Sequence, residues 1–97
     1  MANNAEKIRE IFEQRMVLVG KISQLNAAQL KTTQQLSGTQ LDIQRHADSD
    51  DQPAAGEKLA ETKALEAQLI SRMNDCEEQR LVLEQQVAKL DRKLEAL

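Results

Sequence analysis

Three groups in this sequence have chemistry of their own: the single thiol at Cys76, the single imidazole at His46, and the carboxylates of Asp48, Asp50 and Asp51. A nucleophilic cysteine needs a cation or base beside it. His46 is about four or five turns from Cys76 if both lie on paired helices, so the two do not form a catalytic pair. Cys76 reads instead as a small apolar residue on a helix seam. A Cys76–Cys76 bridge between subunits requires oxidising conditions and close axes. His46 reads as a cation closing a helix C-terminus, where the dipole favours positive charge.

The acidic run invites a calcium reading, but the spacing argues against it. Counted from Asp48, the sixth place needs Gly and holds Pro53, and the twelfth needs a bidentate Glu and holds Leu59. The sequence has no glycine-rich phosphate loop, no cysteine and histidine cluster for zinc and no paired carboxylates walled into a pocket. The expectation is a chain with no catalytic, cofactor-binding or metal site, no small-molecule substrate and no enzymatic activity.

The elements that carry these residues are long helices. Asn3 or Asn4 can cap a first helix, with Glu6 reaching back to close the cap. From there Ile8, Ile11, Leu18, Ile22, Leu25, Leu36 and Ile43 fall on a three-four seam, with Arg15, Gln29, Thr32 and Thr39 at the remaining seam positions. The spacing predicts a helix over about 4–46. Its second half is rich in Gln and Thr and depends on packing for its order. Gly20 and Gly38 each weaken it, as surface or close-packing positions or, at Gly38, as a hinge.

Residues 47–56 hold the breakers. Three aspartates oppose the negative end of the helix dipole, Pro53 turns Gln52 away from helical geometry, and Gly56 frees the backbone. A second helix is predicted over about 57–96. Leu59, Glu66, Met73, Arg80, Val87 and Leu94 mark one seam line; Thr62, Leu69, Cys76, Leu83, Leu90 and Leu97 mark the other. From Leu83 onward the seam is fully apolar and is expected to be the most stable part. The fold class is therefore all-α, a single domain over 1–97 in which two long helices form an antiparallel hairpin or coiled coil.

Composition agrees with a rod. Phe12 is the only aromatic residue, and the chain has three Gly and one Pro. Folding about residue 52 brings Met16–Val19 beside roughly Glu84–Val87, one turn from Leu81–Leu83. Met16, Val17, Val19, Leu81 and Val82 then form a belt too wide for one partner helix to cover, because successive helical residues turn by 100°. Arg15 and Arg80 interrupt the seams. Each either takes a carboxylate partner, Glu13, Glu78 or Glu84, or reaches outward to water.

The belt makes a second layer the expected solution, as a four-helix dimer or on a helical partner. Residues 1–47 carry six basic and four acidic side chains, and residues 48–97 carry seven basic and twelve acidic. That imbalance suits pairing of the arms and gives no concentrated basic face for nucleic acid. No apolar run is long enough for a membrane span, the start lacks the pattern of a secretory signal, and a single cysteine fits a reducing compartment, so cytoplasmic residence is expected. The functional expectation is a non-catalytic interaction protein, a small acidic adaptor or chaperone for a helical partner. A homo-oligomeric scaffold or an acidic inhibitor of a basic surface is the alternative.

Overall fold

The computed structural model describes residues 3–48 and 55–97. It is an all-α, two-helix hairpin. Helix α1 spans Asn3–Ala47, 45 residues, and helix α2 spans Ala55–Glu95, 41 residues. Glu6 lies in the first turn of α1 and Arg45 and His46 in its last; Glu57 opens α2 and Arg92 and Lys93 close it, all favourable to the helix dipole. Asp48 N donates to Gln44 O at 3.0 Å, which extends the helical bonding of α1 by one residue past Ala47. Of the predicted acidic turn, Asp50, Asp51 and Pro53 lie outside the described residues. Gly56 lies within the first turn of α2, and no described glycine has positive φ.

α1 runs unbroken through Gly20 and Gly38. A Cβ built at either meets nothing within 4 Å. Of the readings given for these glycines, close packing is thereby corrected and the surface position holds for both, since each faces open space.

The chain groups into two compact units, one of Met1–Ala27 with Glu77–Leu97 and one of Ala28–Cys76. In the first, Ile11 shares a cleft with Leu97 while Leu18 shares one with Leu90, so the helices run antiparallel. Their covered residues are the seam: Ile11, Arg15, Leu18, Ile22 and Leu25 on α1, and Arg80, Leu83, Val87, Leu90 and Leu94 on α2. Glu77 and Asp91 are also half-buried, although the apolar pattern does not include them. Ile8 and Leu97, seam positions by spacing, are exposed at the ends.

The second unit is held differently. Leu69 is 2% exposed, the most buried apolar residue described, against 7% for Leu90. Thr32 and Thr39 are buried as well. Their hydroxyls donate to the carbonyls of Ala28 at 2.9 Å and Gln35 at 2.8 Å, the residues four before them. This satisfies the polar atom within the helix's own backbone and leaves the methyl to act as the seam's apolar group. The lowest exposure among the described apolar residues is thus at Leu69, in the unit that also buries the two threonines.

Candidate functional site

The first unit holds all five residues of the predicted belt, Met16, Val17, Val19, Leu81 and Val82. Its register is marked by an ion pair, Arg15 Nε to Asp91 Oδ1 at 2.9 Å. Asp91 lies three residues beyond the position that folding about residue 52 places opposite Arg15. The partner expected for Arg15, Glu13 or Glu84, is thus replaced by Asp91. On α2, Arg80 Nη2 donates to both carboxylate oxygens of Glu77 at 2.6 Å, and its Nε stands 3.7 Å from Glu84. Glu84 was expected there; Glu77 was not. Both arginines remain only partly covered, in the range where ion pairs contribute little to stability but fix geometry.

The same register moves the apolar belt. Val17 and Leu18 share a cleft with Gln86, Lys89, Leu90 and Lys93, so Met16–Val19 lies about two turns from Leu81–Leu83 instead of one. The belts do not meet at one level. The shift follows from what the seam packs: Leu18 beside Leu90, with the Arg15–Asp91 pair next to it.

Helical geometry then divides the belt between two flanks of the seam. Asp91 follows Leu90 by one residue and so stands 100° to one side of it; the same step from Leu18 leads to Val19. Ile8, Phe12, Met16 and Val19, spaced four, four and three, run along this Asp91 flank of α1, and Leu81 and Ala88 lie on it in α2. The other flank is marked by Gln14 and Gln86, and to it belong Val17 and Val82. All five belt residues are exposed, Met16 most at 75%. Phe12, at 51%, belongs to the stripe although the run Met16–Val19 does not contain it. Its i to i+4 spacing to Met16 is the sequence signal that identifies it.

The two flanks differ in charge. Glu77, Glu84 and Asp91 line the Asp91 flank, within reach of Arg80 and Arg15. The Gln86 flank holds lysines: Lys89 and Lys93 line one cleft and Lys7 the next.

Comparison with protein-family models, with curated proteins and with solved structures finds no match to this chain. Its function is therefore argued from the geometry. His46 is half-buried in the last turn of α1, and Cys76 is a half-buried free thiol on the seam of α2. No group of three or more His, Cys, Asp or Glu side chains that could hold a metal ion occurs among the described residues. No described helix is long and apolar enough to cross a membrane.

Proposed function

We propose that this chain is a non-catalytic helical interaction protein, a small acidic adaptor or chaperone, that lends an apolar helix face to a helix of another protein. The observation that carries the reading is the exposed stripe of Ile8, Phe12, Met16 and Val19 on one flank, continued on α2 by Leu81. Glu77, Glu84 and Asp91 of that flank already face arginines of the same chain, so a partner covering the stripe meets three acids whose charge is partly matched. Such a stripe, repeating every three or four residues, is the shape a partner helix packs against.

The test is quantitative affinity purification from the native cell, with light scattering on the purified chain, comparing wild type with Met16→Asp and Val19→Asp. Loss of one defined partner in both variants, with helicity retained and Glu13→Gln unaffected, is the expected result. A homodimer that both variants convert to monomer, with no partner lost, would make the stripe a self-association surface and the protein a scaffold. Unchanged size and binding in both variants would remove the reading altogether.

A further inference from the structure

The Gln86 flank of the same unit holds a groove with a different chemistry. One cleft, of about 430 Å³, is floored by Val17, Leu18 and Leu90 and edged by Lys89 and Lys93. The next, of about 340 Å³, is floored by Ile11 and Leu97 and edged by Lys7 and Glu10. Both are lined by Gln14 and Lys93, so the two clefts adjoin end to end between the helices. Together they follow α1 from Lys7 to Leu18, three turns or roughly 16 Å.

The edges carry three ammonium groups against one carboxylate in a chain of net charge −3. Lys7 stands on the α1 wall and Lys89 and Lys93 on the α2 wall. None of the three takes part in an ion pair with a described residue. Lys21, seven residues beyond Gln14, continues the row on the same flank of α1. This differs from the Asp91 flank, where Glu77, Glu84 and Asp91 pair with arginines of the same chain.

We propose that this groove docks an acidic amphipathic helix of a partner protein, with apolar side chains at three-four spacing along the floor and carboxylates along both edges. The inference rests on the chain being a helical interaction protein, but it uses the opposite flank from the Phe12–Met16 stripe. Three turns is the length over which such a helix presents its anchors at i, i+3 or i+4, and i+7. Lysines on both walls set the charge the partner must bring and suppress basic competitors. An apolar floor is of no use to duplex nucleic acid, which is held by phosphate contacts. A concave groove between two helices suits a third helix better than a bilayer surface.

The experiment is amide-resolved NMR on the full isotope-labelled chain. The probe is a synthetic peptide of about 18 residues, long enough to hold some helix, with Leu at the three-four positions and Glu and Ala elsewhere. A second peptide carries Lys in place of each Glu. The Glu peptide is expected to shift Ile11, Gln14, Leu18, Gln86 and Leu90 and to bind at least roughly tenfold more tightly than the Lys peptide, more weakly as salt rises. The double variant Lys89→Glu, Lys93→Glu is expected to reverse the preference. Should that variant lose helicity, Lys89→Gln, Lys93→Gln is expected to abolish it.

Equal affinity for the two peptides, or binding indifferent to these substitutions, overturns the groove. Shifts confined to Ile8, Phe12, Met16, Val19 and Leu81 overturn it while leaving the interaction reading intact. Binding to phosphatidylserine vesicles with the same lysine dependence, but to neither peptide, overturns the protein partner in favour of an anionic membrane surface. Absence of any peptide-induced shift also overturns the groove. The partner-loss experiment with Met16→Asp and Val19→Asp judges the broader function separately.

Discussion

Arg15 on α1 and Asp91 on α2 are joined across the hairpin by a 2.9 Å ion pair, with side chains 41% and 46% exposed. Exposed pairs of this kind couple by roughly 0.2–1 kcal/mol, so the pair adds little to total stability. Its larger effect is on register, because sliding one helix by a seam step removes the pair while leaving apolar residues opposite apolar residues. A double-mutant cycle with Arg15→Ala and Asp91→Ala, read by urea unfolding, is expected to give a coupling within that range, falling as salt rises. The exchange Arg15→Asp, Asp91→Arg is expected to recover more stability than either single reversal. A coupling of zero at low salt would show that the seam alone sets the register.

The burial pattern gives a second expectation. Leu69 and Leu90 are the only apolar residues described as buried, and Leu97, on the same seam line, is 46% exposed. Truncating a buried Leu costs about 2–5 kcal/mol, whereas an exposed one costs little. Leu69→Ala and Leu90→Ala should therefore each lower the urea midpoint strongly, while Leu97→Ala should leave it nearly unchanged. Equal effects at Leu69 and Leu97 would mean that the seam is packed differently.

The seam itself was legible in the sequence because a three-four spacing states which face of each helix is covered. It does not state what lies opposite. A shift of one heptad leaves the pattern of Leu59, Leu69, Leu83 and Leu90 against α1 almost as good, so the position of Asp91 beside Arg15 could not be read from periodicity. The pairing of Arg80 with Glu77 was missed for a related reason: Glu78 and Glu84 offer similar spacing, and rotamer and packing choose among them. The belt of Met16, Val17 and Val19 was visible as an excess of apolar residues. That it divides between the flank of Asp91 and a lysine-edged one depends on the register and on which residues line the clefts.

The open space at two helical glycines supports a third expectation. With nothing within 4 Å of a Cβ at Gly20 or Gly38, alanine adds helix propensity and reduces unfolded-state freedom without a clash. Gly20→Ala and Gly38→Ala should each stabilise by up to about 1 kcal/mol. Thermal melts followed by circular dichroism at fixed protein concentration measure this directly. A destabilised Gly38→Ala would show that the cleft beside Leu65 and Leu69 is occupied or closed in solution.

The buried threonines provide the last expectation, and it separates hydroxyl from methyl. The hydroxyls of Thr32 and Thr39 donate to carbonyls four residues back that also serve the helix ladder, so removing either hydroxyl leaves no carbonyl without a donor. Valine keeps the shape and the methyl that covers the seam, and it leaves no unpaired polar group behind. Thr39→Val is therefore expected to be neutral or stabilising, whereas Thr39→Ser, which keeps the hydroxyl and drops the methyl, is expected to cost about 0.8 kcal/mol. Thr32 should behave alike at its similar burial. If serine is tolerated at both positions and valine is not, the hydroxyls are needed for something other than their own backbone, and the polar half of α1 is a contact surface in its own right. Urea unfolding of the four variants, with light scattering to hold the oligomeric state constant, distinguishes the two outcomes.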